Sequence, residues 1–156
     1  MDAKGVSHIA ICVKDMEKSL AFYRDILGMR VTLDAVQDTV QRFGERQAHL
    51  YQQRRSSRRV VHVRYGDSGN TAPSLVLTTH PGDEVSGDPI RLDHVGISHL
   101  AFTVSDVNGL AQELSAKGVP LAGSMESFQD AQGNIRNFYV YDPDGILLQF
   151  DDGNTA

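Results

Sequence analysis

The sequence predicts an α+β fold built from two βαβββ modules in series, and three observations carry that prediction. A strand of alternating apolar residues followed by an amphipathic helix occurs twice, three further strand patterns follow each helix, and the internal spacing of the two copies agrees.

In the first copy, Ser7-His8-Ile9-Ala10-Ile11-Cys12-Val13 alternates with a period of two. Ile9, Ile11 and Val13 therefore share one face, and His8, Ala10 and Cys12 share the other. Asp15 offers an N-cap, Met16, Leu20, Tyr23 and Leu27 recur at helical spacing, and Gly28 supplies the stop. The second copy repeats this with Ser98-His99-Leu100-Ala101-Phe102-Thr103-Val104, the cap Asp106, the stripe Val107, Leu110, Ala111 and Leu114, and Gly118 at the end. From histidine to capping aspartate is seven residues in both copies, 8 to 15 and 99 to 106. Each stripe should pack on the strand face carrying Ile9 or Leu100, at about 1.5–3 kcal/mol per large apolar side chain buried. The face that carries the histidines must look elsewhere.

Strand patterns follow at Met29 to Val36, Arg59 to Tyr65 and Ser74 to Thr79 in the first copy, and at Pro120 to Phe128, Ile135 to Tyr141 and Ile146 to Asp151 in the second. Asp142-Pro143-Asp144-Gly145 reads as a tight hairpin joining the last two. Counting from the module histidine to the centre of the last strand gives 68 residues in copy one (8 to 76) and 50 in copy two (99 to 149), so copy one holds about eighteen more. The excess falls in an insertion, residues 35–58, where Val40, Phe43, Gln47 and Leu50 suggest a short helix leading into Arg54, Arg55, Arg58 and Arg59. The expected organisation is one domain over residues 1–156. It comprises module one at 5–80, a Gly-, Pro- and Asp-rich linker at 81–93, and module two at 94–152.

Composition narrows the function. A chain of 156 residues with 40% hydrophobic residues can fill one core, and a formal charge of -5 supplies no field to gather nucleic acid. The lone Cys12 forms no internal disulfide, and the start MDAKGVSHIA lacks the basic-then-apolar layout of a secretory signal, so the cytoplasm is the expected compartment. No apolar run approaches the roughly 20 residues needed to span a bilayer.

The stretches SHIAICVKDMEKSLAFYRDILGM, SHLAFTVSDVNGLAQELSAKGV and NFYVYDPDGILLQF together resemble the vicinal oxygen chelate superfamily of glyoxalases, bleomycin resistance proteins and extradiol dioxygenases. The resemblance implies two modules curling their sheets into a cup with the helices outside. It also implies a divalent metal ion, Fe(II), Mn(II), Ni(II), Co(II) or Zn(II), held by up to four side chains from the first and last strands of the modules. The first-strand positions are His8 and His99. The last-strand position of module two is Gln149, where family enzymes usually carry Glu, and that of module one is Val76, which ligates nothing.

Two histidines and one oxygen ligand leave coordination positions for a substrate. The resemblance therefore implies a metal-dependent enzyme of dioxygenase or lyase type, acting on a small substrate that chelates the metal through vicinal oxygens. The alternative is a metal-free cup that sequesters a drug or aromatic metabolite, with Gln149 as a hydrogen-bonding residue. Homodimerisation follows by analogy.

Tyr139, ten residues before Gln149, matches a substrate-orienting tyrosine of the extradiol enzymes, and an ordinary strand aromatic is the plainer account. The histidine that those enzymes place behind the metal ligands, just before the last strand of module one, is replaced by Thr71-Ala72-Pro73-Ser74, which leaves His62 and His80 as candidates for its role. Val76, Leu147, Asp151, Cys12 and Thr103 are expected to line the substrate, with Asp151 supporting Gln149 from behind. Small-residue packing is the plainer role for Cys12. The four arginines could grip an anionic substrate tail, or simply face solvent.

Overall fold

The computed structural model describes residues 2–66 and 72–154. The chain divides into two compact units, Met1–Ser86 and Gly87–Ala156, with the division inside the predicted linker.

Unit 1 contains β1 (His8–Cys12), α1 (Met16–Leu20) continuing as a π-helical segment (Ala21–Ile26), and β2 (Arg30–Asp38). The inserted helices follow, α2 (Thr39–Phe43), a 3₁₀ turn (Gly44–Arg46) and α3 (Gln47–Leu50), and then β3 (Ser57–Arg64) and β4 (Ser74–Thr79). The sheet order is β1-β4-β3-β2, with β1 parallel to β4 and the other pairs antiparallel. Ile9, Ile11 and Val13 turn toward the core with Leu75, Leu77, Val61 and Val63, while His8, Ala10 and Cys12 lie on the open face, as the alternation predicts.

Asp15 caps α1, accepting from the backbone N–H groups of Glu17 and Lys18 at 3.0 and 3.1 Å. The predicted regular helix to Leu27 is corrected beyond Leu20. There the turn widens, and the Leu27 N–H reaches the Phe22 carbonyl, five residues back, at 3.0 Å. A wider turn advances each residue by a smaller angle, which brings Phe22 beside Tyr23 into the core, ring edge to ring face at 5.1 Å. Leu27 is left half-buried.

The insertion is shorter than predicted, because β2 and β3 stay paired out to Asp38 and Ser57, leaving residues 39–56 as the excursion. Its expected apolar stripe does not form: Val40 and Leu50 are 54% and 61% exposed. Instead Thr39 and Gln47 are buried. Thr39 gives its N–H to the Ser56 carbonyl and its hydroxyl to the Arg55 carbonyl, while the Gln47 side-chain oxygen accepts from the Arg55 N–H at 2.9 Å. A short excursion with no sheet face to lie on is closed by satisfying its own backbone.

Unit 2 contains β5 (His99–Thr103), α4 (Val107–Ala116), a 3₁₀ turn (Met125–Phe128), β6 (Asn137–Tyr141) and β7 (Leu147–Asp151), in the sheet order β5-β7-β6 with β5 parallel to β7. The strand predicted from Pro120 to Phe128 is corrected to a single bridge, Leu121 with Val140, followed by the 3₁₀ turn. Gly123 follows, at φ 151°, where a Cβ would stand 2.7 Å from the Ser127 hydroxyl, so the approach of the 3₁₀ turn requires glycine there. Phe138, Val140, Leu148 and Phe150 are buried, as are Val107, Ala111 and Leu114 of α4. The hairpin forms as read, with the Gly145 N–H donating to the Asp142 carbonyl and the Asp142 side chain accepting from the N–H groups of Asp144 and Ile146. No helix among the described residues is long and apolar enough to cross a membrane.

Candidate functional site

Strand register decides which side chains can act together, because residues directly across a ladder point to the same face. In unit 2, His99 lies opposite Leu147, Ala101 opposite Gln149 and Thr103 opposite Asp151. On the other side of β7, Tyr139 lies opposite Gln149 and Tyr141 opposite Leu147. His99, Thr103, Tyr139, Leu147, Gln149 and Asp151 therefore share the face turned away from α4. The Tyr139 and His99 rings meet nearly edge to face at 6.1 Å.

Asp151 is only 7% exposed and fully engaged. It accepts from the Thr103 hydroxyl at 3.3 Å, the Gly153 N–H at 2.9 Å and the Gln149 side-chain nitrogen at 2.9 Å. A carboxylate can only accept, so the amide of Gln149 is held with its nitrogen toward Asp151 and its oxygen free. The carboxylate predicted to support Gln149 is thus placed to orient it.

Unit 1 presents His8, Ala10 and Cys12 on β1, Ser74, Val76 and Thr78 on β4, and Val60 and His62 on β3. The registers are His8 with Ser74, Ala10 with Val76 and His62 with Val76. His8 and His62 thus share a face across β4. Cys12 is exposed there, which corrects the packing role expected of it, while Val76 is buried between its neighbours. Burial, reinforced by His8, Arg64 and Arg58, pushes the His62 imidazole below its ordinary pKa, so His62 is neutral at neutral pH.

That depression makes a pH prediction. The unfolded chain takes up the proton first as pH falls below about 6.5, so the native contribution of His62 is intact above that value and is lost through the acid range below it. Urea unfolding at pH 7.5 and 5.5 should show a larger acid loss of stability for the natural chain than for His62→Gln. Equal losses would mean that His62 meets no such environment.

A feature not drawn from the sequence reading is the serine before each histidine. The Ser7 hydroxyl lies 2.9 Å from Nδ1 of His8, and the Ser98 hydroxyl 3.0 Å from Nδ1 of His99. When Nδ1–H donates to the hydroxyl oxygen, the lone pair faces out at Nε2 of both rings. The signal was present as the dipeptide Ser-His in both copies.

His80, just beyond β4, is buried. Its Nδ1–H donates to the Ser57 carbonyl at 2.9 Å and its ring meets Tyr51 at 5.5 Å, so it fastens the insertion. Of the segment Thr71 to Ser74, Thr71 lies outside the described residues. The four predicted arginines do not gather. Arg59 turns to the α1 side, doubly hydrogen-bonded to Asp34 and reaching Glu17; Arg55 lies near Asp83; Arg54 is exposed.

The linker has a role that periodicity could not reveal. Residues 88–94 form one wall of a cavity of about 820 Å³ whose other wall is Ala122, Tyr139, Tyr141, Gly145 and Leu147. Pro89 rests over Gly145, at 3.6 Å from where a Cβ would stand.

Two modules whose first strand runs parallel to the last, each presenting a Ser-His pair on the open face of that strand, define a protein of the vicinal oxygen chelate type. The chain belongs to the Glyoxalase/Bleomycin resistance protein/Dioxygenase superfamily, whose pattern matches residues 5–150. It is 29% identical over 154 residues to the uncharacterized protein YwkD of Bacillus subtilis, covering 94% of each chain. It is also 26% identical over 149 residues to a 2-epi-5-epi-valiolone epimerase of an Actinomyces species, covering 94% of this chain and 78% of that one. Among solved structures, a glyoxalase family protein of Bacillus cereus superposes with a TM-score of 0.71 at 15% identity, covering 96% and 94% of the two chains. Glyoxalase I of Leishmania major superposes at 0.65 and 24%, covering 98% and 89%.

Proposed function

We propose that the protein is a divalent-metal-dependent enzyme of this superfamily, of dioxygenase or lyase type, acting on a small substrate that chelates the metal through vicinal oxygens. The observation that carries the reading is the fixed amide of Gln149, whose oxygen is held outward by Asp151 on the face that bears His99. His8, His99 and Gln149 would hold the ion. Imidazole nitrogen and amide oxygen suit Fe(II), Mn(II), Ni(II), Co(II) or Zn(II), and the donor set is neutral: no group of three or more His, Cys, Asp or Glu that could hold a metal occurs among the described residues. When bound, the ion would supply Lewis acidity, and a neutral donor set leaves it strongly attracting an anionic chelate.

The remaining roles belong to the chain. Tyr139, opposite Gln149, would hydrogen-bond a substrate on the His99–Gln149 face, and the neutral His62 would accept a proton on the His8 face. Leu147, Thr103, Val76 and Cys12 complete the two faces. The Actinomyces relative is an epimerase by name. In this chain Gln149 and Val76 stand at the last-strand positions, so a proton carrier for such a reaction would have to be His62 or Tyr139. The reading includes a cytoplasmic homodimer.

The metal-free binding protein is the second reading, favoured by Val76 and by the neutral donor set. Metal titration separates the two. Protein freed of metal, then titrated calorimetrically with Mn(II), Co(II) and Zn(II), should take up one equivalent per site, and His8→Ala or His99→Ala should abolish uptake. A folded natural chain that takes up none leaves the binding protein.

A further inference from the structure

The excursion brings Arg42 and Arg46, and β3 brings Arg58, to one aromatic ring. The guanidinium carbons of Arg58, Arg42 and Arg46 lie 4.9, 5.7 and 6.0 Å from the centre of one ring, that of Phe43. The ion pairs of unit 1 go elsewhere, Arg59 to Asp34 and Glu17, Arg55 to Asp83, Arg24 to Asp25 and Lys18 to Asp15. Among the described residues, Arg42, Arg46 and Arg58 make no ion pair. The nearest acids in sequence, Asp38 and Glu45, make no ion pair with them among the described residues, and the Asp38 carboxylate caps the Gln41 N–H.

Three cations brought to one ring repel one another unless an anion joins them, so their grouping needs a cause. The backbone supplies part of it. Arg46 donates from Nη2 to the Arg42 carbonyl and from Nε to the Phe43 carbonyl, and Arg58 donates from Nε to the Gln37 side chain. These bonds hold the forks of Arg46 and Arg58 and leave other N–H groups of both unspent. The platform is also built rather than loose: Phe43 meets Tyr51 at 5.6 Å, Tyr51 meets the buried His80, and Gln47 and Thr39 hold the base of the excursion.

The cluster adjoins a functional face. Arg58, Val60 and His62 alternate along β3, so Arg58 points to the side that carries His8 and His62, and its charge helps depress the His62 imidazole.

We infer that Arg42, Arg46 and Arg58 around Phe43 form a binding site for a multiply charged phosphate group. A single carboxylate would compensate one of the three cations, whereas a phosphate ester or diphosphate presents several oxygens and two or more charges to three forks. The enzyme's substrate accordingly carries a phosphorylated tail. That last step rests on the proposed function of the open face; the anion site itself does not.

Pyrophosphate is the probe. Titrated calorimetrically into chelator-treated protein in metal-free buffer, it should bind saturably, and more weakly as salt is raised. Arg42→Gln combined with Arg46→Gln, and separately Arg58→Gln, should each weaken it roughly tenfold or more. Arg54→Gln, an exposed change outside the cluster, should leave affinity within about twofold. Circular dichroism melts confirm that each variant is folded. No binding by the natural chain, unchanged binding in the folded double variant, or an equal loss in Arg54→Gln overturns the site. His8→Ala keeps the two proposals apart, since it should abolish metal uptake and leave pyrophosphate binding intact.

Discussion

Phe138→Ala should cost about 3–5 kcal/mol of stability, whereas Tyr139→Phe, one residue along the same strand, should cost under about 1 kcal/mol. Phe138 is fully buried, stacked on Phe150 at 5.3 Å, with Phe128 at 6.5 Å and Phe150 continuing to Phe102 at 5.7 Å. Truncation removes one of the two inner rings of that series and leaves a cavity in a close-packed interior, which relaxes only partly. Tyr139 faces the other way, onto the open face beside Gln149, where losing a hydroxyl leaves the core untouched. Urea unfolding of the two variants measures the contrast. Similar losses would show that the two faces of β6 have been assigned wrongly. A cost of this size consumes a large part of the roughly 5–15 kcal/mol that holds a domain folded.

Gln149→Glu is expected to destabilise the metal-free protein by about 2–3 kcal/mol at neutral pH and, in the same variant, to tighten divalent metal binding. The first effect comes from Asp151. The natural side chain gives its nitrogen to the Asp151 carboxylate at 2.9 Å; a glutamate there removes that donor and sets two carboxylates against each other. One of the pair then holds its proton more tightly, so its pKa rises above the unfolded value of about 4.3. A raised carboxyl pKa means that the penalty is fully present above the folded-state value and disappears as pH falls below the unfolded one. The variant should therefore approach the natural chain in stability on acidification, by urea unfolding at pH 7.5 and pH 4. A divalent ion replaces the shared proton and offsets the repulsion. Saturating Mn(II) should restore stability at pH 7.5, and calorimetry should show a lower Kd than for the natural chain. A variant that is destabilised but binds metal no better would remove position 149 from the ligand set.

Much of this site could be read from the chain because it lies on strands, where alternation alone assigns a face. His8 and Cys12, His99 and Thr103, and Gln149 and Asp151 fell on the open faces that period two predicts, and the DPDG hairpin fixed the register of Gln149. The family followed from the same repeat. What alternation could not supply was anything set by a partner distant in sequence. The nitrogen-inward orientation of Gln149 depends on a carboxylate whose third donor comes from Gly153 and whose second comes from β5. The burial of His80 depends on Tyr51, and the neutrality of His62 on its burial and on His8 of β1, far away in sequence.

The insertion shows the boundary most clearly. Four arginines close together in sequence looked like one patch, yet β3 sends Arg58 and Arg59 to opposite faces, and Arg42 and Arg46 reach Arg58 only because the excursion folds over Phe43. By itself the sequence determined the α+β class, the two modules, the superfamily and the faces on which the chemistry-bearing residues stand. Each of those follows from local periodicity and from a duplicated pattern. Only the tertiary structure decided how the Gln149 amide is turned, which arginines share a ring, and that the linker walls a cavity in unit 2. Those outcomes depend on close approach between segments, and no spacing along the chain encodes such an approach.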